Sequence, residues 1–270
     1  MIYKGNSHGK LRYLQTFNKF KLLNEAVSID TIENTDYINQ VVIPLPFSEE
    51  IKTDKEDFLK KLAFVSKDLG IKPEWLIVLI KHCSDFSPSS IDSNGGTMGI
   101  INWTLRSVQN FINPINGDML NSADLRAMTS VEQLDVVRVY FKMWFKVLGI
   151  TEITHPGEFF ALTFYPNLIN LPDDWIFPRI LIKANPGLFE RFPDVGSNTK
   201  ASYYSYCKSL IEEIETGDYK IPEDESGMLG RTVAATSQYV GGDEYDKEIL
   251  NLAKIILDPE ILKQIPPENI

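Results

Sequence analysis

Two cysteines and three histidines are the side chains best suited to nucleophilic or metal chemistry. Cys83 and Cys207 lie far apart and form no CxxC pair, so neither a zinc knuckle nor a disulfide framework is expected, and a single long-range bridge between them stays open. His8, His82 and His155 have no metal-ligand spacing, and no metal or other cofactor is expected. A thiol and an imidazole can act as nucleophile and base. Cys83 with His155 is therefore one conceivable pair, although no motif frames either residue for that role. His82 cannot serve Cys83, because adjacent residues on a helix point apart.

The elements that must position these groups are mostly helices. Thr53-Asp54-Lys55-Glu56 has capping-box spacing and opens a helix over residues 53–69. Phe58, Leu62, Val65 and Leu69 form its apolar stripe, and Gly70 ends it. Pro73 opens a second helix that is apolar nearly all round, which predicts a buried central helix ending near Ser84. Turn chemistry follows in Phe86–Ser90 and Asn94-Gly95-Gly96. A long helix starts at Thr129 or Ser130, since Thr129/Glu132 and Ser130/Gln133 both have capping-box spacing, and it closes at Gly149. Pro156 opens a shorter helix stopped by Pro166, and two more helices are expected over 199–215 and 244–257. Residues 17–26 have the pattern of a short amphipathic helix. Residues 41–47 read as an extended arm, because each proline biases its predecessor away from the helical region. This arm packs either on its own body or on a partner.

Composition narrows the function classes. The 270 residues are 43% hydrophobic, enough for a real core in one or two domains. With 27 Lys plus Arg against 37 Asp plus Glu, the net charge is −10, and the footprint of a nucleic-acid binder is missing. The densest apolar stretch, Trp75–Ile80, is too short to span a bilayer, and residues 1–6 have no apolar signal-peptide core. The expectation is a chain made in a cytoplasm, with no membrane insertion.

Four segments in order carry a resemblance. An apolar helix runs into Cys83-Ser84-Asp85-Phe86-Ser87-Pro88; Gly99-Ile100-Ile101-Asn102 follows, then Glu132-Gln133-Leu134, then a helix ending at Tyr165. This order resembles the lysozyme-like domain of lytic transglycosylases and phage tail lysozymes over roughly residues 53–190. In that family the buried helix ends in Glu-Ser-Gly-Phe-x-Pro, a Gly-Leu-x-Gln turn comes next, and a Glu-Gln-Leu helix follows. The resemblance implies a mainly α, lysozyme-like fold over 51–190, with an N-terminal arm (1–50) and a helical C-terminal extension (191–270).

The family's chemistry needs a partly desolvated Glu that protonates the glycosidic oxygen. Here Cys83 stands at the position of that Glu, Asp85 at the Gly and Asn102 at the Gln. The sulfur falls roughly 2–3 Å short of a Glu carboxylate's reach. A free thiol, with a pKa of about 8.5, is also a poorly matched acid. Losing a general acid costs on the order of 10²–10⁴ in rate. The expected reading is thus a degenerate glycosidase fold. Cys83 is then either a trace of the old cleft or simply a small buried core residue.

Asp85 and Glu132 are the carboxylates that would act if cleavage survives. Glu132 is explained equally well as a capping residue. Ser84, Asn102 and Tyr165 are the candidate glycan contacts. The Asn185-Pro186-Gly187 segment resembles one in phage members that leads into a calcium-type loop, but the alternating oxygen ligands are missing here. Two functions remain open: a phage virion or tail component using the domain structurally, with 1–50 and 191–270 binding neighbours and a peptidoglycan strand as partner, or a working peptidoglycan-cleaving lysozyme. A third possibility is an unrelated helical scaffold.

Overall fold

A computed structural model describes residues 45–91, 97–104, 113, 120–194, 197–219 and 229. The expected helices over 17–26 and 244–257, the arm before Leu45 and the Asn94–Gly96 turn lie outside these residues.

The described chain is mainly helical. Its helices are α1 (Lys55–Asp68), α2 (Pro73–Ser84), α3 (Ser122–Ala127), α4 (Ser130–Leu148), α5 (Pro156–Phe164), α6 (Arg179–Ala184), α7 (Pro186–Phe189) and α8 (Lys200–Thr216). Short 3₁₀ turns occupy Ser48–Glu50 and Pro166–Asn170. Two short antiparallel strands, β1 (Thr97–Met98) and β2 (Trp103–Thr104), form one hairpin in which Thr97 faces Thr104 and Met98 faces Trp103.

α2 is the central element. Leu76 through Ile80 are wholly buried, as an all-round apolar helix requires. α1 packs on α2 and α4, while α5 packs on α8. α1 joins the core through Phe58, Leu62 and Val65, the expected stripe. Its start differs from expectation. Asp54 is the N-cap, in left-handed backbone (φ 48°) with no side-chain cap. The helix therefore begins one residue later than a Thr53 cap requires, and Glu56 falls short of the third helical position a capping box needs. Glu56 pairs with Lys60 at 2.6 Å instead.

The long helix settles on the Thr129 register. Thr129 caps the Glu132 amide, and Glu132 Oε2 accepts from the Thr129 amide at 2.7 Å. Gly149 ends α4 in left-handed backbone (φ 67°). On its buried side Arg138 donates to Asp68 of α1 at 2.5 Å. Burial alone raises the Asp68 pKa, but hydrogen bonds and charge from Arg138 and Lys142 outweigh it and hold that carboxyl below its usual range.

The core does not respect the boundaries at 50 and 190. Leu45 is buried ahead of residue 51, and Phe192, Tyr203, Cys207 and Leu210 join the same cluster beyond residue 190. The reason is α5. Phe159 to Leu162 are wholly buried, and the apolar stripe of α8 supplies their cover. α8 is thus part of the body and not an appended extension. The arm is settled in part as well: Leu45 and Phe47 pack on the chain's own body. Among the described residues, no helix is long and apolar enough to cross a membrane.

Candidate functional site

The end of α2 brings together several of the residues singled out in the sequence. α2 stops because Asp85 and Phe86 both take left-handed backbone (φ 50° and 62°). For residues other than glycine this costs about 1–2 kcal/mol each. Two contacts offset it: Phe86 is buried edge-on against Phe58, and the Asp85 carboxylate meets Lys81 Nζ at 2.7 Å. The β1–β2 turn then folds back over the helix end.

Three polar side chains tie these pieces. Ser84 Oγ lies 3.1 Å from the Ile80 carbonyl and 3.0 Å from that of Ile100, sharing its proton between helix and turn. Asn102 Nδ2 donates to the Cys83 carbonyl at 2.6 Å. Asn102 itself holds left-handed backbone (φ 56°), which asparagine tolerates better than most residues. Its Oδ1 is buried without a hydrogen-bond partner. Gln133 of α4 is wholly buried. Its Oε1 accepts from the Ile100 amide at 2.9 Å, and its Nε2 donates to the carbonyls of Pro88 (2.8 Å) and Leu125 (2.7 Å). The turn also needs Gly99: at φ 76°, a Cβ there would sit 2.7 Å from the Trp103 ring and 2.9 Å from Gln133 Oε1.

Gln133 was missed as a site residue. Its signal was the choice of cap: once Thr129 and Glu132 form the box, Gln133 is free to turn inward. The alternative Ser130/Gln133 cap would have held it at the helix surface.

Cys83 is partly exposed and unbridged. Burial pushes its thiol up to about 12. It lies near enough to the Tyr140 phenol for its charge to reach it, and that phenol donates to the Leu162 carbonyl at 2.7 Å. A thiol in this setting holds its proton, and is neither an acid for a sugar oxygen nor a nucleophile at neutral pH.

The two candidate carboxylates are engaged elsewhere. Asp85 pairs with Lys81, which also meets Glu50 Oε2 at 2.6 Å. At 100° per residue, Lys81 lies about 200° around α2 from Cys83, so this pair sits on the other side of the helix. Glu132 Oε2 receives both the amide and the hydroxyl of Thr129. Tyr165 is 1% exposed and stacked on Trp175, with ring centroids 5.4 Å apart, and burial pushes its phenol up to about 12. Of the three candidate glycan contacts, Ser84 and Tyr165 are buried, and Asn102 spends its donor on backbone.

His155 is no base for Cys83. It caps α5: its Nδ1 accepts from the Gly157 amide at 3.0 Å, and its ring stacks on Tyr204 of α8 at 5.0 Å. Burial lowers its pKa. Among the described residues, no group of three or more His, Cys, Asp or Glu side chains gathers as a metal site.

No protein-family model, no curated protein and no solved structure matches this chain.

Proposed function

We propose that this chain is a structural component of a phage virion or tail, built on a degenerate lysozyme-like, peptidoglycan-binding domain that does not cleave glycan. The reading rests on the order of the four segments that resemble the lytic transglycosylases and phage tail lysozymes. The order of elements is compatible with it: a buried helix, a hairpin returning over its end, a long capped helix, and a shorter helix ending at Tyr165. Neighbouring virion proteins and a glycan strand are the partners it implies.

One observation carries the loss of cleavage. The thiol of Cys83 occupies the end of the buried helix, protonated to about pH 12, while Asn102 grips its backbone carbonyl at 2.6 Å. Neither candidate carboxylate replaces the missing acid: Asp85 is bound to Lys81, and Glu132 to its own helix cap.

A suspension of purified murein sacculi tests the reading. The chain is expected to sediment with the sacculi and leave turbidity unchanged. Clearing that disappears on Asp85→Asn or Glu132→Gln would establish a working hydrolase instead. The converse variant, Cys83→Glu, places a carboxyl at the helix end and is expected to release detectable glycan fragments.

A further inference from the structure

His82 is the buried polar group that the site at the end of α2 leaves unused. It is 9% exposed, and both ring nitrogens are buried without a hydrogen-bond partner among the described residues. Such a group carries an uncompensated desolvation penalty, so its placement calls for a reason.

Its neighbours supply one. The Phe47 ring meets His82 edge-on at 6.2 Å, and the Tyr219 ring does so at 5.9 Å. Phe47 and Tyr219 also meet each other, at 6.0 Å and 82°. Phe47 belongs to the stretch that enters the body at Leu45, while Tyr219 follows the end of α8. Three mutually perpendicular rings therefore join Phe47, ahead of α1, and Tyr219, just past α8, to one turn of α2. The entering stretch has a second tie, from Glu50 to Lys81, and the Lys81 ammonium lies 5.8 Å from the Phe47 ring centre.

Among the described residues, the charged groups whose fields reach the imidazole are Lys81, on its own helix, and Arg191, after α7. Both are cations. Tyr219 adds a phenol ring and Phe47 a hydrocarbon one, and among the described residues no carboxylate pairs with the imidazole. An imidazolium here would be buried near Arg191 and near Lys81, itself paired with Glu50 and Asp85, with no described group accepting its protons.

We propose that the Phe47–His82–Tyr219 cluster is an acid-sensitive clasp, in which protonation of His82 releases residues 45–51 and residues 217–219 from their contacts with α2. Burial and the two cations lower the His82 pKa to about 4 in the closed clasp, while an exposed imidazole titrates near 6.5. The open form thus binds more protons between these values. Clasp stability is complete above about 6.5 and is lost as pH falls towards 4, with opening rising about tenfold per unit. Between pH 7 and 5 the open population grows roughly twentyfold. The clasp is independent of whether the body binds glycan.

Amide hydrogen exchange on the full chain tests this, after correction for intrinsic exchange. The reporter amides are Glu50, bonded to the Phe47 carbonyl at 3.0 Å, and Asp218 and Tyr219, bonded to the Glu213 carbonyl at 2.9 and 3.0 Å. Interior amides of α4 are the reference. Protection at both segments is expected to fall about twentyfold relative to α4 from pH 7 to 5, and to stay level in His82→Phe. Acid effects that do not involve His82 are common to both proteins and cancel. An equal fall in the variant, or an unchanged wild type, overturns the proposal. If His82→Phe does not fold, the wild-type imidazole decides: an NMR titration well below 6.5 that tracks loss of protection supports the clasp, and ordinary titration with both segments still protected overturns it.

Discussion

Asn102 and Cys83 are joined across 19 positions of sequence by one hydrogen bond, from the Asn102 side-chain amide to the Cys83 carbonyl at 2.6 Å. That bond occupies one of the carbonyls that a helix end leaves without an internal partner, and it seats the hairpin turn on α2. Asn102→Ala removes the donor and puts alanine at φ 56°. A loss of about 2–3 kcal/mol is expected in urea unfolding. Asn102→Gly removes the donor but accepts the backbone, so its loss should be smaller, near 1 kcal/mol. Equal losses would show that the bond, not the backbone, sets the cost.

Gln133 satisfies three backbone groups at once, those of Pro88, Ile100 and Leu125. Gln133→Leu keeps the volume and strands all three. A cost of about 2–4 kcal/mol is expected, from penalties of about 1–3 kcal/mol per stranded group with partial relaxation. Chemical denaturation measures it. Exchange at the Ile100 amide, which loses its acceptor, should also accelerate in the variant. A near-neutral substitution would mean that water or rearranged backbone takes over these bonds.

The two thiols are shielded unequally but should both be slow. Burial pushes Cys83 to about 12 and places Cys207 well above its usual value. At pH 8 the thiolate fraction of Cys83 is then on the order of 10⁻⁴, against about a quarter for a free cysteine. Native protein should therefore react with a disulfide reagent roughly a thousandfold more slowly than the denatured chain, although the Cys83 residue is partly exposed. Rapid labelling of Cys83 in the native state would contradict the environment described for it.

His155 makes the α5 cap dependent on pH. Its Nδ1 can accept from Gly157 only while unprotonated. Burial lowers the folded pKa, so the unfolded chain binds the extra proton more readily. The contribution is full above about 6.5 and declines as pH falls towards the folded value. His155→Asn keeps a capping oxygen without a titrating ring. Its melting temperature should fall less than the wild type's between pH 7 and 5. Parallel slopes would assign that acid sensitivity to other groups.

Gly157 is tight for a different reason. A Cβ there would lie 2.7 Å from a Tyr204 ring carbon and 3.0 Å from His155 Nδ1. Gly157→Ala should cost about 1–3 kcal/mol, because the stacked His155–Tyr204 pair must part or shift. Thermal unfolding of the variant checks this.

Local patterns in the sequence determined α1, α2, α4, α5 and α8 and several of their ends, but not the short helices α3, α6 and α7. Pro73 and Pro156 open helices, Gly70 and Gly149 close them, and the Thr129/Glu132 spacing caps α4. Each of these acts within one or two turns of chain, so residue type and spacing suffice to specify it. The buried character of α2 was legible for the same reason, from an apolar run with no polar face. Tertiary structure alone decided what the polar residues do. Asn102 reaches Cys83, Gln133 reaches Pro88, and His82 meets Phe47 and Tyr219, all through contacts between residues distant in sequence. Whether Tyr165 lined a surface or filled the core depended on Trp175, and the place of α8 in the body depended on the cover that α5 required. A side chain's partner across space is set by how whole elements pack, and no spacing along the chain encodes it.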